Sequence, residues 1–311
     1  MSENLENKGK EGDGLNRIAS VVLLIATLLA ACSPAAAPTA ASLPPTATAV
    51  PAVPVLVPTL PPPTEAPPTA APQPRTLTVF AAASLTEAFT EIGHNFEASH
   101  PGVTLTFNFA GSTTLSAQLT QGAPADVFAS ANHAEMDKVA AANLIQKGAP
   151  RDFLTNQLIV ILPANNPANV QTLLDLARPG LKLVLGDKTL PAGKYALQSL
   201  DNMVRDPAYG ADFKTKVLAN VVSYEVDVKQ VVAKVKLGEA DAGIVYVSDS
   251  VAAPDLKTIV IPPNLNVTAR YPIVALNGAP QPQLASEFVT YVLSGDGQAI
   301  LKKWGFSPIA P

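Results

Sequence analysis

Residues Thr76 to Glu87, T-L-T-V-F-A-A-A-S-L-T-E, change hydrophobic period in mid-stretch. Leu77, Val79 and then Phe80 alternate as a strand does. From Leu85 the apolar residues fall three and four apart, at Leu85, Ala88, Phe89, Ile92 and Phe96, as one face of a helix does. The switch falls at Ser84, so a strand delivers its chain directly to a helix start. Two readings share this geometry. In one, Ser84 and Glu87 form a capping box, the hydroxyl taking an orphan helix N–H and the carboxylate answering from three residues on. In the other, the unpaired N–H groups and the positive end of the helix dipole hold an anion without a formal charge.

Repetition favours the second reading. A strand from Val103 to Phe109 runs into Ala110-Gly111-Ser112-Thr113-Thr114 and a helix that ends at Gln121-Gly122. Two hydroxyl-bearing helix starts thus follow two neighbouring strands, and in open α/β sheets ligands sit in the crevice beyond the strand ends. The stretches A-A-A-S-L-T, A-G-S-T-T-L and Gly122-Ala123-Pro124-Ala125-Asp126-Val127-Phe128 resemble the periplasmic molybdate-binding proteins of ABC transporters.

The chain begins with a polar segment containing Lys8, Lys10 and Arg17, followed by an apolar run over 18–31 that stops at Leu29-Ala30-Ala31-Cys32. That run is short for a membrane span and fits the apolar region of a signal peptide. Cys32, the only cysteine, stands where a bacterial lipobox places it, which resembles a lipoprotein signal over 1–31 with acylation on the cysteine sulfur. A short N-terminal anchor helix with an incidental thiol is the alternative. From Ser33 to Pro74 the chain holds 14 of the 30 prolines and one charged residue, Glu65. Such a segment cannot bury enough to fold, so 32–75 reads as a semi-rigid tether, up to ~130 Å at roughly 3.1 Å per residue, and open to glycosylation.

Beyond the tether, strands and helices alternate as in α/β domains. Short strands at Asp126–Ser130, Gln157–Leu162, Lys182–Gly186, Asn220–Tyr224 and Ala242–Tyr246 are expected. Helices are expected from His133 to Asn143, from Thr189-Leu190-Pro191 through Leu200, from Lys229 to Leu237, from Gln283 to Leu293 and from Gly297 to Trp304. Gln157–Leu162 and Tyr271–Leu276 read as crossings between two lobes, giving 76–156 and 268–311 to the first lobe and 157–267 to the second. The order of lobe one, lobe two and lobe one again resembles type II periplasmic binding proteins. This implies a two-lobed α/β fold in which each lobe is a mixed sheet flanked by helices.

The resemblance implies a receptor that captures molybdate, and tungstate, as an oxyanion between the lobes and hands it to an ABC permease. It places the ligand contacts on Ser84 and Ser112 from the first lobe and on Ala192, Val228 and Tyr246 from the second. The serines offer hydroxyl and backbone donors, Ala192 and Val228 backbone N–H groups, and Tyr246 its phenol. Gly111 and Thr113 stand where relatives often have serine, so Thr113 could take the place of Ser112. Lys194 and Lys229 are close enough in sequence for a direct contact. Each position also has a plainer reading, Ala192 and Val228 as ordinary helix starts and Tyr246 as packing.

Other chemistries lack their residues. His94, His100 and His133 have no H-x-H or H-E-x-x-H spacing for zinc, and there is neither a G-x-S-x-G elbow nor a Walker loop. No adjacent tyrosine pair suits a ferric-ion receptor. The net charge of −4 provides no basic footprint for nucleic acid. The expectation is a monomeric, lipid-anchored extracytoplasmic protein, not an enzyme, with no cofactor and no direct metal ligands. A receptor for another tetrahedral oxyanion such as sulfate, or a stalked adhesion module, is the alternative.

Overall fold

A computed structural model describes residues 74–145 and 150–309. The signal segment, Cys32 and nearly all of the tether lie outside the described residues. No helix among the described residues is long and apolar enough to cross a membrane.

The first sheet is built on β1 (Arg75–Ala82), which runs parallel to β2 (Val103–Ala110) on one side and to β3 (Val127–Ala129) on the other. Their register aligns the strand ends, with Ala82 opposite Ala110 and Ala81 opposite Ala129. The segments that follow therefore leave the sheet side by side, at one end of its strands. The antiparallel strands β4 (Arg151–Asn156), β10 (Ala269–Ala275) and β11 (Ser307–Pro308) complete the order β11-β4-β10-β3-β1-β2.

The apolar face predicted from Leu85 onward is buried. Helix α1 (Thr86–Ser99) packs Phe89, Ile92 and Phe96, and Phe288 of α8 (Pro282–Leu293) meets Phe89 and Phe96 edge-on at 5.9 and 5.4 Å between ring centres. Burying each such side chain contributes about 1.5–3 kcal/mol. Helices α2 (Ser112–Thr120) and α3 (His133–Ala141) follow β2 and β3, and α9 (Gly295–Lys303) precedes β11.

The second sheet has the order β7-β6-β8-β5-β9. Strands β6 (Leu183–Gly186), β7 (Val221–Glu225) and β8 (Ala242–Tyr246) are parallel, and each leads toward a helix on the same side of the sheet's end. Helix α4 (Pro191–Arg205) follows β6, α6 (Val228–Lys236) follows β7, and α7 (Val247–Val251) follows β8; α5 (Phe213–Ala219) lies between α4 and β7. Strands β5 (Leu158–Leu162) and β9 (Lys257–Val260) are antiparallel to their neighbours. Two parallel units thus present helix N-termini toward one another, with antiparallel strands linking them.

The chain changes sheets between Asn156 and Leu158 and returns between Val260 and Ala269. Strand β5 lies wholly in the second sheet and β10 wholly in the first, so the crossings occupy the junctions and not the apolar runs themselves. Asn266 ties the two junctions together: its Oδ1 accepts from the Leu158 N–H at 3.0 Å, and its Nδ2 donates to the Leu158 carbonyl at 2.8 Å.

Candidate functional site

Ser84 lies in a single 3-10 turn, Ala83–Leu85, and α1 begins only at Thr86, with no side-chain cap. The capping-box expectation is therefore overturned. Ser84 Oγ sits 2.9 Å from the Tyr271 Oη, and Glu87 receives Lys229 Nζ at 2.7 Å. Both side chains have found tertiary partners, and the helix starts one residue later than a cap at Ser84 would set it.

Ser112 is the first residue of α2, after the N-cap Gly111. Its Oγ accepts from the Ala131 N–H at 2.9 Å, which leaves the hydroxyl hydrogen to donate elsewhere. Thr113 is committed differently, its Oγ1 donating to the carbonyl of Thr189 at 3.1 Å, across to the second sheet's lobe.

On that lobe, α4 opens with Pro191 and Ala192, and proline at the first position loses nothing, because that N–H would be unpaired in any case. Gly193 allows the approach of α4 to the end of β6: a Cβ there would stand 2.0 Å from the Asp187 carbonyl oxygen. Val228 opens α6 behind the N-cap Asp227, whose carboxylate accepts from the Gln230 N–H at 3.0 Å and its Nε2 at 3.3 Å. Capping the third N–H leaves the earlier ones of the turn available.

Tyr246 ends β8 and is 2% exposed. Its hydroxyl has no hydrogen-bond partner among the described residues. Burial pushes the phenol well above its ordinary pKa, and the neighbouring Tyr271 and Tyr195 act the same way, so Tyr246 keeps its proton and is a donor. A buried O–H without a partner costs on the order of 1–3 kcal/mol, which an arriving acceptor recovers.

Ser84, Ser112, Ala192, Val228 and Tyr246 all line one cavity of about 20 Å³, together with Ala82, Ala83, Gly111, Ala131, Leu190, Pro191 and Asp227. A space of that size suits one small ion and excludes a sugar, an amino acid or a peptide. The small residues Ala82, Ala83 and Ala131 let backbone approach the space closely. Larger grooves exist, one of 530 Å³ lined by Arg151, Asn277 and Ser286 among others, but its lining comes from the first sheet's lobe alone.

The two nearby lysines do not line the cavity. Lys194 Nζ lies 3.6 Å from Glu135, and Lys229 Nζ lies 2.7 Å from Glu87 and 3.2 Å from Asp249. Each lysine rises from a helix of the second lobe and reaches a glutamate of the first. Burial alone would lower Lys229, but the two carboxylates outweigh it and hold the ammonium above its ordinary pKa. The five expected contacts are thus neutral groups, with Asp227 as the one carboxylate of the lining and the two lysines already paired behind them. Among the described residues no cluster of His, Cys, Asp or Glu could hold a metal ion directly.

Sequence reasoning did not find Tyr271, Ala131 or Asp227. Tyr271 touches Ser84 from 187 positions away, and Ala131 reaches Ser112 through its backbone, so neither carries a local signal. Asp227 had one, an Asx residue three before Gln230 at a helix start.

Residues 77–307 match the family described as bacterial extracellular solute-binding protein. The molybdate-binding protein ModA of Mycobacterium tuberculosis is 42% identical over 246 residues, covering 79% of this chain and 89% of that protein. The periplasmic molybdate-binding protein of Azotobacter vinelandii, 20% identical, superposes with a TM-score of 0.65 over 76% of this chain and 99% of its own. The sulfate-binding protein SubI of M. tuberculosis, 19% identical, gives 0.68 over 76% and 88%. At those identities the two structures speak for the fold alone, a two-lobed periplasmic binding protein. The family match and the 42% identity carry the assignment: this chain belongs to the bacterial extracellular solute-binding proteins.

Proposed function

We propose that the protein is the receptor of an ABC transporter that captures molybdate, and tungstate equally, between its lobes and delivers it to the permease. The observation that carries this reading is the convergence, on one small cavity, of two serine hydroxyls, two helix starts and an unpartnered buried phenol, drawn from both sheets. Its closest support outside the site is the likeness to ModA. A solute-binding transport family is not an enzyme class, and the donor set contains no nucleophile–base pair.

The chemistry favours a fully deprotonated tetrahedral dianion. Hydrogen bonds from neutral donors to a buried charge are worth roughly 1.5–3 kcal/mol each. Sulfate has the same charge, but its oxygens lie nearer its centre, so a rigid ring of donors cannot reach all of them at hydrogen-bonding distance. Calorimetric titration with molybdate, tungstate, sulfate and phosphate tests the reading. Molybdate and tungstate bind alike, sulfate weakly and phosphate negligibly; sulfate binding as tightly as molybdate overturns the size argument and makes this a sulfate receptor.

The lipid anchor is part of the proposal and rests on Cys32 behind the apolar run over 18–31. Cys32→Ala releases the protein from the membrane fraction. Retention of that variant in membranes would make the N-terminal segment an uncleaved anchor.

A further inference from the structure

Tyr271 is fully buried on β10, beside the junction where the chain returns to the first sheet, and does not line the cavity. Its ring is fixed edge-on by three others: Tyr246 at 5.9 Å, Phe306 at 6.0 Å and Phe153 at 6.4 Å between centres. Its hydroxyl lies 2.9 Å from that of Ser84, a distance at which either oxygen can donate. A phenol is a stronger donor and a weaker acceptor than an aliphatic alcohol, because its oxygen lone pair is drawn into the ring. Burial raises the phenol far above its ordinary pKa; the Ser84 hydroxyl acts the other way, and the charge of Asp249 adds to the rise. Tyr271 therefore keeps a hydrogen, and Ser84 is the better place to put it.

We propose that Tyr271 is a positioning residue that sets the polarity of the site: its hydroxyl donates to Ser84, which fixes Ser84 as a donor toward the anion. Ser112 is set the same way, by the Ala131 N–H. Both serines then hold one bond from the protein and present one hydrogen to the cavity. An oxyanion that still carries a proton meets donors on every side, its own O–H finds no free acceptor, and it is rejected. Asp227, the one carboxylate of the lining, is engaged on both oxygens by Gln230.

This inference rests on the anion-receptor reading above. The experiment is a double-mutant cycle on the full-length protein, with molybdate and hydrogen phosphate as probes and thermal melting alongside. Tyr271→Phe keeps the ring and its packing and removes only the hydroxyl. Molybdate affinity falls by about 3- to 10-fold in that variant, in line with one lost hydrogen bond. Hydrogen phosphate does not weaken with it, so the ratio of the two affinities narrows by a similar factor. In a Ser84→Ala background, Tyr271→Phe has no further effect on molybdate, because the hydroxyl it would position is gone. Equal losses for both anions, or additive losses in the double variant, would show that Tyr271 only supports the fold. Tight binding of hydrogen phosphate by the unaltered protein would also overturn the inference, with Asp227 as the acceptor. If the unaltered protein binds no molybdate, the receptor reading fails first.

Discussion

Gly111 has φ −58° and ψ 136°, angles any residue adopts, yet a Cβ there would stand 2.5 Å from the carbonyl oxygen of Val226. Val226 belongs to the second sheet's lobe, so glycine is required by how closely the lobes approach beside the cavity. Gly111→Ala places about 1–3 kcal/mol of overpacking on the closed form. Affinity for molybdate falls by that amount, while the melting temperature of the anion-free protein changes little, because opening relieves the clash. The serines separate the two energies differently. Ser84→Ala and Ser112→Ala each weaken anion binding by roughly 1.5–3 kcal/mol if the lost bond is buried and charged. A purely structural role would instead lower stability and leave affinity unchanged. Titration and melting of the same variants decide between these.

At the scale of elements, two helices of the second lobe carry both the expected N–H donors and the lysines that cross to the first. Lys194 of α4 meets Glu135 of α3, and Lys229 of α6 meets Glu87 of α1. Burial would push Glu135 up, but bonds from Lys138 and Ser116 and the charge of Lys194 outweigh it and hold the carboxyl below its ordinary value. A carboxylate with a lowered folded pKa gives stability that is present above its unfolded value, about 4.3, and is lost as pH falls through the folded one. Melting curves from about pH 6 down to about pH 3 should show that loss, and Glu135→Gln should remove part of it. The strand-to-helix switches at Ser84 and Ser112 were legible because period and residue size change together there, within a few positions. The ion pairs were not, since Lys229 and Glu87 lie 142 positions apart and each reads alone as an ordinary surface charge. Strands β4 and β9 were missed for a local reason. They open on Arg151-Asp152 and Lys257-Thr258, and their exposed residues weaken the alternation that β1 shows. The capping-box reading of Ser84 and Glu87 fails because both members of the motif are present but tertiary partners claim them.

At the scale of the molecule, the structure holds its lobes close, with Thr113 bonded to Thr189 and both lysine–glutamate pairs formed. Opening the lobes exposes these lysines and glutamates to water, which offsets the loss of the pairs, so the anion is expected to add the decisive bonds of the closed form. Small-angle scattering should therefore give a smaller radius of gyration with molybdate than without it. An unchanged radius on saturation would mean a receptor closed before it binds. A chain beginning near Arg75 should fold and bind as the full chain does, as titration and melting of the shortened protein would show.

The proposed donors are divided, Ser84 and Ser112 on one side and Ala192, Val228 and Tyr246 on the other, and neither lobe alone encloses the cavity. On that assignment, rotation of one lobe would strip the anion of a whole group of bonds in a single motion and admit water to the rest. Unloading would then be governed by a hinge and not by a contest of affinities. A permease that pries the lobes apart needs no site that binds the cargo more tightly than the receptor does, and the dwell time of the anion is set by how long the jaws stay shut.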